Sequence, residues 1–201
     1  MGQSWNGPAA RSLLQVARNP SLINPSKSVR DISVVNVQEL KDMGIKGLVL
    51  DKDNTITAPY SLQLHPRVKH ATLHIQCAFP NKVAILSNSA GTPDDCNFEE
   101  AEAIEKNLGI PVIKHLKKKP DGLKETLEFF QLETSELAVV GDRLLTDIVF
   151  GNIHGMYTIH TEVLTTENDN KFAVFFRNLE NKLLLPFVKQ WFKNYDVKRI
   201  K

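Results

Sequence analysis

The chain of 201 residues has few cysteines and no long hydrophobic run. Cys77 and Cys96 show no C-x-x-C or Cys/His spacing, so we expect reduced thiols in a reducing compartment. Charged or polar residues interrupt every apolar stretch before it reaches the roughly 18 residues that a membrane span needs. These absences exclude a disulfide-stapled domain and a transmembrane protein, and the length suits one domain with an ordinary core.

Acidic residues are missing from the first 30 residues, and the charge is uneven along the rest of the chain. The net charge is +2, but residues 1–30 contribute +4 and residues 171–201 contribute +6, which leaves −8 for residues 31–170. This distribution predicts an acidic body between two basic arms. We therefore divide the chain into an N-terminal arm (1–30), one domain (31–185) and a basic, aromatic C-terminal extension (186–201).

Both arms have amphipathic features. Residues 8–18 place Leu13 and Leu14 on one face of a predicted helix, which suits a mitochondrial targeting segment, a membrane-surface helix or a helix docked on the body. In the C-terminal arm, aromatic residues recur at helical spacing from Phe172 to Trp191, and beyond Pro186 they alternate with lysines. Up to Leu185 this spacing favours a helix that packs on a face of the sheet, and beyond Pro186 the mixture of aromatic residues and lysines predicts contact with an anionic membrane surface. No motif indicates nucleic-acid binding. We also consider assembly into a homo-oligomer.

Between the arms, short apolar runs alternate with amphipathic segments. We predict strands at 46–51, 82–86, 110–113, 137–140 and 156–160, with helices between them. A further helix is expected to begin after Asn36 and to end at Gly44. This alternation predicts an α/β fold with a doubly wound, Rossmann-like, mostly parallel sheet and helices on both faces. Sites in such folds form at the carboxyl ends of the strands.

Polar side chains follow the predicted strands at those ends. Two ionised carboxylates roughly 4 Å apart repel by about 4 kcal/mol at an effective dielectric near 20, so a pair of aspartates needs a cation, a shared proton or strong donors. Taken singly, each stretch could be a turn, a cap or a solvated loop. Together they supply the carboxylates, hydroxyl and cation that phosphoryl transfer around Mg²⁺ requires. The residues are Asp51, Asp53, Ser87, Asn88, Lys119, Asp142 and Asp147.

Four motifs in this order resemble those of the haloacid dehalogenase (HAD) superfamily of phosphatases. D-K-D-N-T begins at Asp51, Ser-Asn at Ser87, Lys-Pro at Lys119, and Gly-Asp with a later Asp at Gly141. A glycine is common in the superfamily where Asn54 stands. D-K-D-N-T instead resembles the subfamily of mitochondrial and plastid phosphatidylglycerophosphate phosphatases and their bacterial relatives, as do residues 19–22, 43–46 and 141–147.

The resemblance implies a role for each residue. Asp51 would be the nucleophile that forms an aspartyl-phosphate, and Asp53 the general acid and base. Mg²⁺ would be held by Asp51, Asp142 and the backbone carbonyl of Asp53. Ser87, Asn88 and Lys119 would bind the phosphoryl oxygens. Three residues would support them: Asp147 orients Lys119 or a metal-bound water, Thr55 fixes the loop, and Arg143 either binds a second phosphate or braces the loop.

The spacing of the motifs bears on the substrate. Superfamily members that act on small metabolites usually insert a cap domain, but here the intervals from Asp51 to Ser87 and from Ser87 to Lys119 are only 36 and 32 positions long. An open site suits a phosphate on a large partner, such as a lipid in a bilayer.

Three functions are considered. The first is a lipid phosphatase that converts phosphatidylglycerophosphate to phosphatidylglycerol in the cardiolipin pathway, which implies a peripheral protein on the matrix side of the mitochondrial inner membrane. The second is a soluble capless phosphatase acting on phosphoprotein or a small phosphometabolite. The third is a non-catalytic scaffold.

Overall fold

The computed structural model describes residues 7–165, and their side chains from residue 12 onward. The strands are β1 (Lys27–Val29), β2 (Gly47–Leu50), β3 (Val83–Ile85), β4 (Leu137–Gly141) and β5 (Tyr157–Thr161). The helices are α1 (Gly7–Arg18), α2 (Val37–Asp42), α3 (Lys69–Ala78), α4 (Glu99–Leu108), α5 (Leu123–Phe130) and α6 (Val149–Ile153). A π-helical turn, Leu144–Ile148, leads into α6. The aromatic pattern of 172–191 and the extension 186–201 lie outside the described residues.

The five strands form one sheet in the order β1-β5-β4-β2-β3, and every pairing is parallel. Leu50 at the end of β2 lies opposite Ile85 on β3 and Val140 on β4, so the three strands end at one level. The backbone N–H of Asp51 continues this register by donating to the carbonyl of Val140 at 2.9 Å. The predicted α/β class and parallel sheet are confirmed, and the ends of β2, β3 and β4 form one edge.

Helices cover both faces of the sheet because consecutive residues of its fully buried strands point to opposite sides. On one face, Leu48 and Leu50 belong to a core cluster with Ile75 of α3 and Ile104 of α4. On the other face, Val49 belongs to a cluster with the aromatic rings of α5 and α6. The doubly wound arrangement therefore follows directly from the near-continuous apolar runs of the strands.

The structure differs from the predicted strands in two places. Strand β1 lies at the edge of the sheet, beside β5, within the residues that we assigned to the N-terminal arm. The predicted strand at 110–113 is only a short extension of the sheet: Pro111 and Ile113 exchange two backbone hydrogen bonds with Ile85, and a bridge joins Ile85 to Val112. Because Pro111 has no N–H to donate, this pairing cannot grow into a full strand.

Helix α1 lies against the body in this structure. Val16 is buried in a third cluster with Ile23, Leu145 and Ile148, whereas Leu13 and Leu14 are exposed. Three alternatives were given for this helix: a targeting segment, a membrane-surface helix and a helix docked on the body. In the structure the helix is docked on the body. No helix in residues 7–165 is long and apolar enough to cross a bilayer.

The intervals between the motifs are short in the structure too, and both lie wholly within the described residues. The chain between Asp51 and Ser87 contains a loop, helix α3 and strand β3, and the chain between Ser87 and Lys119 contains only α4 and short connections. Neither interval holds an inserted domain, so no cap covers the carboxyl edge of β2 from these positions.

Candidate active site

The D-K-D-N-T segment forms a tight loop at the end of β2. The carbonyl of Lys52 accepts backbone hydrogen bonds from Thr55, Ile56 and Thr57 at 3.0 to 3.3 Å, which curls the chain back on itself. Asn54 adopts a φ of 61°, in the left-handed region that glycine and asparagine enter most readily. An asparagine can therefore stand where the superfamily commonly has glycine.

Lys119 joins two of the predicted carboxylates. Its Nζ lies 2.8 Å from Oδ1 of Asp51 and 2.5 Å from Oδ1 of Asp147. The lysine is almost fully buried, and the side chain of Asp51 is 14% exposed. The nucleophile predicted after β2 and the cation predicted 68 positions later are thus in direct contact at the bottom of the site.

Burial and charge shift the ionisation of this pair. Burial raises the pKa of Asp51 to about 6, against the lowering effect of the Lys119 charge and with a further rise from Asp147. Burial lowers the pKa of Lys119, but the carboxylates of Asp147 and Asp51 outweigh it, so the net shift is upward. Lys119 therefore stays charged and supplies a fixed positive charge beside Asp51.

Asp142 brings a third carboxylate to the same place. One carboxylate oxygen each from Asp51, Asp142 and Asp147 lies within 4.8 Å of the other two. Three carboxylates and one lysine have a net charge of −2, which a divalent cation balances, and carboxylate oxygens are the ligands that Mg²⁺ prefers. These side chains fit a magnesium ion.

Asp147 is already engaged within this cluster. Its Oδ1 accepts from Lys119, and its Oδ2 accepts from the backbone N–H of Arg143 at 3.1 Å. Gly141 makes this approach possible, because a Cβ at that position would lie 2.3 Å from Oδ2 of Asp147. Asp147 therefore has two donors inside the cluster, one of them the lysine that also contacts Asp51.

Asp53, the second aspartate of the loop, is held by two donors. Its Oδ1 accepts from Nζ of Lys52 at 2.6 Å and from the backbone N–H of Tyr60 at 3.0 Å. Lys52 is one of the largest fully buried side chains in the described part of the chain. Sequence reasoning missed Lys52, because a lysine between two aspartates is expected to be solvated. The apolar, fully buried strand β2 just before Lys52 was the sign in the sequence that this part of the loop would also be buried.

Ser87 and Asn88 follow β3, as predicted, and Asn88 contacts Lys119. The hydroxyl of Ser87 lies 3.1 Å from that of Ser89 and accepts from the N–H of Ser89 at 3.2 Å. Asn88 uses its Oδ1 to accept the backbone N–H of Lys119 at 2.8 Å. The Asn88 side chain thus fixes the position from which Lys119 reaches the aspartates.

Two further groups that the sequence analysis did not single out support these loops. The buried carboxylate of Asp95 accepts backbone N–H bonds from Gly91, Glu100 and Ala101 at 2.9 to 3.0 Å, which ties the Ser87 loop to the start of α4. His160 on β5 places Nε2 3.2 Å from the backbone carbonyl of Asp142. Both residues hold in place a loop that carries predicted site residues.

Thr55 and Arg143, which were predicted to support the site, each make a backbone hydrogen bond within it. Thr55 is buried, and its N–H donates to the Lys52 carbonyl at 3.3 Å, which suits a role in fixing the loop. Arg143 contributes its backbone N–H to Asp147. The segment after β5 also reaches this loop, because the N–H of Thr165 donates to Oδ1 of Asn54 at 3.2 Å.

A parallel α/β sheet with these four motifs at the carboxyl ends of its strands defines a protein of the HAD class. Comparison with known proteins narrows the class further. The model of the mitochondrial phosphatidylglycerophosphate (PGP) phosphatase family matches residues 8–165, and the chain belongs to that family.

Three relatives illustrate the match. The chain is 44% identical over 164 residues to phosphatidylglycerophosphate phosphatase 1, chloroplastic, of Chlamydomonas reinhardtii, covering 81% of this chain and 61% of the relative. It is 38% identical over 187 residues to the chloroplastic/mitochondrial enzyme of that name from Arabidopsis thaliana, covering 92% and 54%. It is 34% identical over 176 residues to the mitochondrial phosphatidylglycerophosphatase of Saccharomyces cerevisiae, covering 85% and 94%. The chain therefore spans less than two thirds of the first two relatives and nearly all of the third.

Proposed function

We propose that this protein hydrolyses the phosphomonoester of phosphatidylglycerophosphate and releases phosphatidylglycerol and inorganic phosphate. The observation that supports the proposal is the contact of Asp51 with Lys119 beside Asp142, because these residues could serve as nucleophile, fixed cation and metal ligand. Membership of the PGP phosphatase family and the names of the three relatives support the same substrate.

In the first step, a carboxylate oxygen of Asp51 attacks phosphorus and the bond from phosphorus to the glycerol oxygen breaks. Asp53 donates its proton to the departing alkoxide, and an aspartyl-phosphate remains. In the second step, Asp53 takes a proton from water as that water attacks phosphorus, which regenerates the Asp51 carboxylate and releases phosphate. Lys52 and the N–H of Tyr60 keep the Asp53 carboxylate in one orientation for both transfers.

The remaining groups bind the phosphoryl oxygens. Lys119 neutralises charge that develops on them, while the Ser87 hydroxyl and the Asn88 backbone donate hydrogen bonds. Asp147 orients Lys119 from the opposite side to Asp51. A magnesium ion would be held by Asp51, Asp142 and the backbone carbonyl of Asp53. When bound, it neutralises further charge on the phosphoryl group.

The open edge of the sheet favours a lipid substrate. No inserted domain covers the site from the two intervals between motifs, so a large partner must exclude water during the reaction. We propose a peripheral protein on the matrix side of the mitochondrial inner membrane, where phosphatidylglycerol feeds cardiolipin synthesis. In this scheme residues 31–185 form the catalytic domain together with strand β1 and helix α1 of the N-terminal arm, and basic residues of the arms 1–30 and 186–201 contribute to contact with anionic lipid.

The test is phosphate release from phosphatidylglycerophosphate in mixed micelles beside a panel of water-soluble phosphomonoesters and phosphopeptides. We expect a higher specificity constant for the lipid, no turnover without Mg²⁺, and none with the Asp51→Asn variant. Equal efficiency on a sugar phosphate or a phosphopeptide would favour a soluble capless phosphatase. Absence of turnover on every substrate would favour a scaffold.

A further inference from the structure

Two loops at the edge of the site carry exposed apolar side chains. Leu116 is 76% exposed, more than any other large hydrophobic side chain in the described residues, and Tyr60 and Leu62 are 60% and 37% exposed. We call these three side chains the rim. Single exposed apolar residues are ordinary on protein surfaces, so their exposure alone decides nothing. Their position relative to the catalytic aspartates is the informative feature.

Each loop of the rim is hydrogen-bonded to one aspartate of the D-K-D pair. The loop with Tyr60 and Leu62 donates the N–H of Tyr60 to Asp53, and the loop with Leu116 continues directly into Lys119, whose Nζ contacts Asp51. Leu116 lies three positions before Lys119, which limits their Cα atoms to a separation of about 11 Å. Both loops of the rim are therefore joined directly to residues of the site.

The exposure of Leu116 is enforced by its neighbours. The residue before it, His115, is buried. Its backbone N–H donates to the carbonyl of Gly91 at 2.7 Å, and its Nδ1 lies 2.9 Å from the carbonyl oxygen of Ile113. The N–H of Leu116 itself donates to Glu125 at 3.3 Å. Because the backbone is held on both sides, the leucine side chain has no route into the core and stays directed at solvent.

The charges around the rim suit an anionic surface. Lys114, Lys117 and Lys118 flank Leu116, and the segment from residue 58 to residue 66 has no acidic residue. Lys114 and Lys118 pair with Glu102 at 3.5 Å and with Asp94 at 2.6 Å, but both acids are exposed, and such pairs contribute little and open easily. Lysines that leave these pairs can bind lipid phosphates instead.

We propose that the rim is the membrane-contacting surface of the protein: Leu116, Tyr60 and Leu62 enter the headgroup region of an anionic bilayer and bring Asp51 to the substrate. This inference rests on the proposed function, which requires a lipid phosphomonoester. The terminal phosphate of such a lipid is only two glycerol units and one phosphodiester away from the acyl chains, so Asp51 must come close to the bilayer surface. The side chains that surround Asp51 then touch lipid, and leucine, tyrosine and lysine are the residues typical of that interface.

The test compares serine variants of the full chain. Leu116→Ser and the double variant Leu116→Ser/Leu62→Ser remove rim side chains. Met43→Ser is the matched control, because Met43 is 44% exposed but lies just before the amino end of β2, at the opposite edge of the sheet. Each variant is measured in three assays: sedimentation with phosphatidylcholine vesicles containing phosphatidylglycerol, phosphate release from PGP in those vesicles, and phosphate release from a short-chain, water-soluble PGP.

We expect Leu116→Ser to bind the vesicles about tenfold more weakly, a loss typical of removing one large apolar side chain from a membrane contact, and the double variant to bind more weakly still. Hydrolysis of vesicle-bound PGP should fall in parallel, while hydrolysis of the soluble substrate stays at the wild-type rate. Met43→Ser should match the wild type in all three assays.

Two results would overturn the proposal: vesicle binding of the rim variants at wild-type strength, or an equal loss with Met43→Ser. The substrate is tested separately from the surface. If the wild type binds vesicles through Leu116 but releases no phosphate from either form of PGP, the rim stands as a membrane contact and the proposed substrate is wrong. If PGP is hydrolysed and the rim variants bind normally, the substrate stands and the rim is wrong.

Discussion

Replacement of Asp95 by alanine should destabilise the fold strongly. The Asp95 carboxylate accepts three backbone N–H bonds, Oδ1 from Glu100 and Oδ2 from Gly91 and Ala101. Each such bond contributes about 1 kcal/mol net, so Asp95→Ala should lower the free energy of unfolding by ~3 kcal/mol. The total free energy of unfolding of a native domain is only about 5–15 kcal/mol, so the loss would be large.

Asparagine at this position gives an intermediate prediction. Its one amide oxygen can replace Oδ2 and keep the bonds from Gly91 and Ala101, while the bond from Glu100 is lost. We therefore expect Asp95→Asn to cost about 1 kcal/mol. The neighbouring Asp94 is the control, because its side chain is 68% exposed and only pairs with Lys118. Asp94→Ala should change stability by less than about 0.5 kcal/mol.

The pH dependence of stability provides a second measurement on the same variants. Burial raises the pKa of Asp95, but the three backbone donors outweigh it, so the net shift is downward. A carboxyl whose pKa is lower in the folded state stabilises the fold above its unfolded pKa and loses that contribution as the pH falls through its folded pKa. The difference between wild type and Asp95→Ala should therefore be constant near neutral pH and shrink in acid.

Urea unfolding followed by far-ultraviolet circular dichroism, repeated from neutral to acidic pH, gives both quantities. The reasoning would be refuted if Asp95→Ala and Asp94→Ala had equal midpoints. It would also be refuted if the difference between wild type and Asp95→Ala grew as the pH fell.

Four substitutions test the site itself. Asp51→Asn should abolish turnover but leave the urea midpoint close to that of wild type; a residual rate within about tenfold of wild type would contradict covalent catalysis. Lys119→Ala should lower kcat by about 10²- to 10³-fold, because one preorganised charge is lost. Asp53→Asn should slow both formation and hydrolysis of the aspartyl-phosphate in rapid-quench experiments; an effect on KM alone would contradict its role. Gly141→Ala should displace Asp147, which a Cβ would approach to 2.3 Å, and reduce turnover.

The sheet and the position of the site could be predicted because they depend on local patterns. The apolar runs before Asp51, Ser87 and Asp142 each form a buried parallel strand, and parallel strands bring the residues after their carboxyl ends to one edge of the sheet. Strand β1 could not be predicted, because Lys27–Val29 has three residues and only one large apolar side chain. Its pairing with β5 joins residues 132 positions apart, such as Lys27 and Ile159, which no local pattern encodes.

The residues that sequence reasoning missed are those whose environment is set by tertiary contacts. Asp94 and Asp95 are adjacent and identical in type, yet one is exposed and the other accepts three backbone bonds. A lysine is ordinarily expected to be exposed, as Lys117 is. In the structure the D-K-D-N-T loop buries Lys52, and its Nζ donates to Asp53. Only the assembled loops distinguish the members of these pairs.

The docking of α1 limits how the amino terminus can be processed. Val16 covers Leu145 and Ile148, which belong to the same π-helical turn as Asp147. A protease that removed the chain beyond Val16 would uncover these side chains and loosen the turn that holds the Lys119 partner. A cleavage of the amino terminus that leaves this contact intact must therefore fall before Val16.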